Sequence, residues 1–185
     1  EIGRSLKDFK TGIRSALRQD PDIILVGELR DLETMKLALE AAETGHLVFA
    51  TVHTTDVASS ISRIVQTFPK EEQTAARVQL LSSLRFIISQ RLVPKVTSGR
   101  VAAREYLEFT PSLRQELLEL DPARLYNRLI SETALSGQTM LQAVTKLLHA
   151  NLISKEEMKM VAHTAKEVEL LEEQFVQKLL KLTFK

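Results

Sequence analysis

Residues 22–28 of this chain read Asp-Ile-Ile-Leu-Val-Gly-Glu, and this stretch decides the fold. Residues 23–26 are continuously apolar and partly β-branched, which is typical of a central parallel strand covered on both faces. The strand delivers the carboxylate of Glu28 at its C-terminal end. Ligands of open α/β sheets bind at that edge, so the stretch predicts a strand with an acidic group beside a ligand.

A helix and a second strand follow this stretch. Residues 32–44 carry apolar side chains at helical spacing and stop at Gly45, a favourable residue for ending a helix. Residues 47–52 form another apolar run, which ends at His53. A strand, a helix and a strand within about 30 residues make a βαβ unit, whose strands are parallel. We therefore expect the side chains of Glu28 and His53 at the same edge of the sheet.

The rest of the chain is predicted to be mainly helical. Helical spacing or start signals predict helices over residues 5–19, 56–68, 70–91 and 154–182. Loose alternation predicts one strand over residues 100–109. Short helices with explicit start signals begin at Thr110. We therefore expect an α/β core over residues 1–109 and a helical subdomain over residues 110–185.

Composition disfavours several classes of protein. The chain has 185 residues, of which 44% are hydrophobic, and its net charge is +1. This balance disfavours disorder and gives no global attraction to nucleic acid. The chain has no cysteine, so it has neither disulfides nor thiolate metal sites. No apolar run approaches the roughly 20 residues that span a bilayer, so no transmembrane segment is expected.

Glu28 and His53 are the candidate catalytic residues. A glutamate at this edge can order an attacking water molecule. It can also act as a metal-site residue, by a hydrogen bond to a water molecule bound to Mg²⁺. A neutral imidazole can donate to a γ-phosphate oxygen, and the hydroxyl of Thr54 adds a donor. The alternatives are an exposed acid that happens to end a strand and a histidine that closes a turn. The pattern alone leaves both alternatives open.

Other polar residues have weaker support. Arg30 follows Glu28 by two positions and is a candidate for stabilising transferred charge. Arg14 and Arg18 are candidates for reaching the nucleotide of a neighbouring subunit, although solvated arginines on a helix face are the commoner explanation. His46 begins the strand that His53 ends, which favours a structural role near Gly45 over a catalytic one.

One motif is missing from these residues. A phosphate-binding loop of the form G-x-x-x-x-G-K-[ST] does not occur in the sequence. Because such a loop cradles the α- and β-phosphates, we expect the 185 residues alone to be inactive. The sequence also begins at Glu1, in what reads as the interior of a domain, so we expect an N-terminal portion to be missing.

The sequence resembles the secretion-superfamily ATPases, which include PilT-type pilus-retraction motors, GspE-type motors and DotB-like motors of type IVB secretion and conjugation. Residues 16–31, Ala-Leu-Arg-Gln-Asp-Pro-Asp-Ile-Ile-Leu-Val-Gly-Glu-Leu-Arg-Asp, look like the atypical Walker B segment of that family. Residues 41–55, Ala-Ala-Glu-Thr-Gly-His-Leu-Val-Phe-Ala-Thr-Val-His-Thr-Thr, look like its histidine box. The similarity is strong over residues 3–109 and weaker beyond them.

The resemblance implies a fold and a function. The fold would be a RecA-like P-loop NTPase core with a mostly parallel sheet, truncated at its N-terminus and followed in sequence by the helical subdomain. Glu28 would be the Walker B glutamate, His53 the histidine near the γ-phosphate, and His46 the first histidine of the box, with a supporting role. ATP and Mg²⁺ would be the cofactors. The protein would be a homo-hexamer in the cytoplasm, peripheral at the inner membrane, docked on a membrane-associated secretion or pilus platform.

Three alternatives remain at this stage. The first is a pilus-retraction motor of the PilT type. Such motors carry Ala-Ile-Arg-Asn-Leu-Ile-Arg-Glu at the place where residues 112–119 of this chain read Ser-Leu-Arg-Gln-Glu-Leu-Leu-Glu. This difference favours the DotB-like branch. A non-hydrolysing assembly or docking module is a second alternative, suggested by the amphipathic segment 154–182. DNA binding, the third, is disfavoured because no basic helix with interleaved aromatic residues occurs.

Overall fold

The computed structural model describes Thr11, Gly12, Ser15 and residues 18–161. The chain divides into two compact units. The first contains the chain up to Phe86 together with Glu108–Leu129, and the second contains Ile87–Leu107 and the residues from Ile130 onward. These units do not follow the predicted division at residue 109, and the assignment of residues 1–109 and 110–185 to two domains stays a prediction.

The predicted βαβ unit is confirmed in the first compact unit. Strand β1 spans Ile23–Val26, helix α1 spans Leu32–Glu43 and strand β2 spans Leu47–Ala50. The two strands pair in parallel, with Ile23 opposite Leu47 and Val26 opposite Ala50. Both strands therefore end at the same edge, as expected.

One face of this sheet is covered by α1. Ile24 and Val26 pack with Leu37, Ala38 and Ala41 of the helix in one buried cluster. Burial of each of the larger side chains contributes about 1.5–3 kcal/mol to the stability of the fold. The cluster therefore fixes the helix against the strands.

The opposite face of the sheet differs from the prediction. Alternate side chains of both strands lie there, and they are exposed: Ile23, Leu25, Leu47 and Phe49. The apolar run predicts burial on both faces, and among the described residues only the α1 side is buried.

Three further helices lie wholly within the first unit. Helix α2 spans Val57–Gln66, α3 spans Gln73–Ser83 and α4 spans Pro111–Glu119. Asp56 caps α2 and Thr110 caps α4 through their side chains, as the start signals predict. Helix α3 packs against α1, α2 and α4.

The prediction of a helix over residues 70–91 is wrong beyond α3. Strand β3 spans Phe86–Pro94 and is hydrogen-bonded to strand β4, Arg100–Glu108, which was predicted. The connection, residues 95–99, is too short for a parallel crossover, so the pair is a hairpin. Ile88 and Leu92 fit the apolar stripe of the predicted helix, yet both are exposed on β3. Pairing with β4 overrides the helical spacing.

The remaining helices in the described part of the chain are α5, Pro122–Leu135, α6, Met140–His149, and α7, Lys155–Val161. The core of the second unit joins the inner face of the hairpin to α6 and α7 through Val93, Ala103, Met140, Ala143, Val144, Ile153, Met158 and Val161. Gly137 lies before α6 at a close approach to β4, where a Cβ would stand 2.2 Å from the Tyr106 carbonyl oxygen. This position therefore requires glycine.

The predicted helices over residues 5–19 and 154–182 lie largely outside the described residues. The start of the second one is described, as helix α7. Among residues 18–161 and the three isolated positions before them, no helix is long and apolar enough to cross a membrane.

Candidate active site

Glu28 and His53 meet just beyond the ends of β1 and β2. The Nε2 atom of His53 lies 2.9 Å from Oε1 of Glu28. An ionised carboxylate only accepts hydrogen bonds, so Nε2 is the nitrogen that carries the hydrogen in this contact. The predicted convergence of the two side chains is therefore confirmed as geometry, while their catalytic roles stay predictions.

Arg30 contacts the same carboxylate from the other side. Its Nε atom lies 2.5 Å from Oε2 of Glu28. The side chain of Glu28 is 23% exposed, against 76% for Arg30 and 84% for His53. A half-buried carboxylate thus lies between two groups that extend into solvent, and each of its oxygens has one protein donor.

Thr51 holds the backbone beside Glu28, and sequence reasoning did not single it out. Its hydroxyl donates to the carbonyl oxygen of Gly27. Its own carbonyl accepts the N–H of Leu29, at 2.9 Å. The available signal was the parallel register, because continuing it by one residue beyond Val26 and Ala50 brings Thr51 opposite Gly27.

Asp31 fixes the start of α1 directly after Arg30. Its Oδ1 atom accepts the backbone N–H of Thr34 at 2.8 Å, and its Oδ2 atom accepts the Thr34 hydroxyl at 2.9 Å. The bond from the Thr34 backbone has the larger effect and the bond from its hydroxyl the smaller, and together they hold the pKa of Asp31 below its ordinary value of 3.8. The segment that carries Glu28 and Arg30 is therefore fixed at both its β1 end and its α1 end.

His46 lies at the other end of β2. Its Nδ1 atom is 3.0 Å from the Ala41 carbonyl oxygen and 3.1 Å from the Thr44 hydroxyl. Because a carbonyl cannot donate, Nδ1 carries the hydrogen in the first contact. Gly45, at φ +101°, makes the turn that brings the ring back onto the end of α1. These contacts hold the ring at the end of α1, and the structural role of His46 stays a prediction.

Thr54 follows His53 but its hydroxyl contacts another residue. The Thr54 Oγ1 atom is 2.7 Å from Oγ of Ser60, which is buried and donates to the Asp56 carbonyl oxygen. Since the single hydrogen of Ser60 is used in that way, Thr54 is the donor between the two hydroxyls. In this geometry Thr54 anchors the segment after His53 to the first turn of α2.

Of the two predicted inter-subunit arginines, the structure describes only Arg18. Arg18 is exposed in a turn before β1. Arg14 lies outside the described residues.

The donor set fits a terminal phosphate better than a directly bound metal ion. Arg30 and His53 offer N–H donors at the sheet edge, and phosphate oxygens accept such bonds. Within the described residues, no group of three or more His, Asp or Glu side chains could hold a metal ion. Mg²⁺ takes one or two carboxylates with waters and phosphate oxygens, so Glu28 fits a contact through water.

The contacts leave the carboxylate able to bind a water molecule. Each oxygen of an ionised carboxylate has about two acceptor positions. His53 and Arg30 occupy one position on each, so Glu28 can still accept a hydrogen bond from water. The arrangement can thus orient a water molecule beside two cationic or N–H donor groups.

A family model described as "Type II/IV secretion system protein" matches residues 3–183. The chain is 48% identical over 156 residues to the type IV pilus retractation ATPase PilT of Pseudomonas aeruginosa, a match that covers 84% of this chain and 45% of that protein.

Two solved structures are similar to the chain. The Legionella pneumophila ATPase DotB superposes with a TM-score of 0.82 at 41% identity, over 87% of this chain and 44% of DotB. The pilus retraction motor PilT with bound ADP superposes with a TM-score of 0.79 at 44% identity, over 91% of this chain and 48% of PilT. The chain therefore spans less than half the length of these relatives, and its α/β fold is that of their matching parts.

Proposed function

Because the chain belongs to the type II/IV secretion system protein family, we propose that it is the C-terminal part of an ATP-hydrolysing motor that powers type IV secretion, conjugation or pilus dynamics. Its α/β fold and its similarity to both PilT-type and DotB-like ATPases support this proposal. The activity belongs to the full-length protein, in which a phosphate-binding loop outside these residues would hold the α- and β-phosphates. The 185 residues alone would be inactive.

The contact between Glu28 and His53 carries the proposal. Two side chains from separate strands meet at 2.9 Å on the carboxyl edge of a parallel sheet. Ligands of α/β sheets bind at this edge. A structural ion pair would not need this location, whereas a pair that acts on a bound phosphate does.

Each residue has a separate task in the proposed reaction. Glu28 accepts a hydrogen bond from the attacking water and orients it in line with the bond to be broken. When nucleotide binds, the Nε2–H of His53 turns from Glu28 to an oxygen of the terminal phosphate, and Arg30 offsets the negative charge that accumulates there. Glu28 would hold Mg²⁺ through water, and the bound ion would neutralise phosphate charge.

The proposal is tested by Glu28→Gln in the full-length protein. The amide keeps the size of the side chain but removes its charge and one of its two acceptor oxygens, so we expect ATP hydrolysis to fall by at least about 100-fold. Equilibrium binding of ATP should stay within about threefold of wild type, since the phosphate-binding loop is intact. Phosphate release and nucleotide binding are measured side by side.

Glu40→Gln is the matched control, because Glu40 lies exposed on α1, away from the sheet edge. It should hydrolyse ATP at the wild-type rate. Undiminished hydrolysis in Glu28→Gln would remove Glu28 from its role. No hydrolysis in the wild type would favour a non-hydrolysing assembly module instead.

The assembly and cellular role follow as further parts of the proposal. The motor would be a homo-hexamer in the cytoplasm, at the inner membrane, on a secretion or pilus platform. A retraction motor is the second candidate, because PilT of P. aeruginosa is 48% identical to this chain. The preference for the DotB-like branch stays a prediction, since PilT and DotB structures superpose about equally well.

A further inference from the structure

We infer that Thr51 is a positioning residue that sets the location of Glu28 relative to His53 through its side-chain hydroxyl. The inference rests on the proposed function, because it concerns the rate at which that site would work. Thr51 lies just beyond β2 and contacts the segment just beyond β1, where neither strand's regular pairing continues.

Two bonds of Thr51 lie on either side of Glu28. The Thr51 hydroxyl donates to the carbonyl of Gly27, the residue before Glu28. The Thr51 carbonyl accepts the N–H of Leu29, the residue after it, at 2.9 Å. The peptide groups that flank the Cα of Glu28 are therefore tied to a single residue of the neighbouring strand.

The same residue also limits the position of His53. Thr51 precedes His53 by two residues, and the hydroxyl pair of Thr54 and Ser60 fixes the other side of His53. Movement of the Glu28 backbone away from Thr51 would lengthen the contact between Glu28 and His53. A displacement of about 1 Å at a reacting group can lower turnover by up to about 100-fold.

The hydroxyl is the replaceable part of this link. The bond to Leu29 uses backbone atoms and survives any side-chain change except loss of the local fold. The bond to Gly27 uses only Oγ1. Thr51→Val keeps the branched shape and removes this donor, whereas Thr51→Ser keeps the donor and removes a methyl group. Thr51 is exposed, so neither change leaves a cavity in the core.

The experiment measures kcat and KM for ATP, with equilibrium binding of a non-hydrolysable ATP analogue, in the full-length protein. We expect Thr51→Val to lower kcat about tenfold, the rate equivalent of one hydrogen bond at the upper end of the usual range. KM and analogue binding should stay within about twofold, because the residue is proposed to orient the site without contacting nucleotide. Thr51→Ser should keep at least about half of the wild-type kcat.

Thr67→Val is the matched control. The Thr67 hydroxyl donates to the Arg63 carbonyl at 3.1 Å, at the far end of α2, so the same chemical change is made away from the site. It should leave kcat unchanged. A loss of folding or assembly is detected by melting temperature and ring size, and the serine variant still tests the inference in that case.

The outcomes separate this inference from the proposed function. An inactive wild type would overturn both. An active wild type with unchanged kcat in Thr51→Val, or with equal losses in the valine and serine variants, would overturn the role of the Thr51 hydroxyl alone. A rise in KM or weaker analogue binding at unchanged kcat would also contradict it, since that result would indicate nucleotide contact.

Discussion

The three side chains of the candidate site differ in how firmly they are held. Glu28 is 23% exposed and has a donor on each oxygen, whereas His53 and Arg30 are mostly exposed. A mostly exposed ion pair contributes little to stability, about 0–1 kcal/mol. The contacts around Glu28 are thus poorly explained as a stabilising device. We propose instead that a bound phosphate group exchanges these contacts for its own.

The identity of the contacting nitrogen on His53 gives a prediction at this scale. Because Nε2 faces Glu28, the amide nitrogen of glutamine in His53→Gln can occupy about the same position, whereas that of asparagine in His53→Asn corresponds to Nδ1. We expect the full-length glutamine variant to hydrolyse ATP at least about fivefold faster than the asparagine variant, because only glutamine keeps a hydrogen bond of ordinary strength at this position. Steady-state phosphate release measures both. Equal rates would show that the Nε2 contact has no role in turnover.

At the scale of elements, the cap of α1 links the site to the helix that covers the sheet. Asp31 accepts two hydrogen bonds from Thr34, and Arg30 precedes it in the chain. Loss of an aspartate cap costs about 1 kcal/mol. Asp31→Ala should therefore speed the hydrogen exchange of the Thr34 amide by about fivefold in the full-length protein. Asp31→Asn keeps an acceptor and should stay close to wild type.

The same cap is sensitive to pH. The pKa of Asp31 in the folded chain lies below its ordinary value of 3.8, chiefly because of the Thr34 backbone bond. The unfolded chain therefore binds the proton more readily, and the cap's contribution is full above about pH 4 and is lost as the pH falls through the lower folded-state pKa. After correction for intrinsic rates, Thr34 protection should fall in that range for wild type. Asp31→Asn should not show this step.

The sequence predicted some elements better than others. Residues 22–53 carry local signals that agree with one another: an apolar run, a helical stripe, a glycine stop and a second apolar run. Strand β3 was missed because Ile88 and Leu92 satisfy both helical spacing and alternation, and only pairing with β4 decides between them. That pairing is a tertiary contact and leaves no local signal.

The site shows the same limit. Convergence of Glu28 and His53 followed from parallel topology, which the sequence indicates. The orientation of a hydroxyl does not follow from topology. The placement of Thr54 near the nucleotide stays a prediction, and its hydroxyl contacts Ser60. No local signal marks Thr51, whose hydroxyl bonds to the backbone before Glu28.

In the molecule as a whole, we propose that the chain supplies one part of the active site of a longer protein. It spans less than half the length of its relatives PilT and DotB. Its described residues provide the groups beyond two strand ends, and the proposed activity needs a phosphate-binding loop from elsewhere in the full-length protein. Any test of catalysis therefore belongs to the full-length motor.

We propose that Glu28 and His53 act as a unit on one reacting phosphate. A double-mutant cycle of ATP turnover in the full-length protein, with Glu28→Gln, His53→Ala and both together, tests it most directly. Residues that act in one step are strongly non-additive, so we expect the double variant to be no more than about threefold slower than Glu28→Gln alone. Losses that multiply, with the double variant slower by the product of the two single effects, would contradict the account.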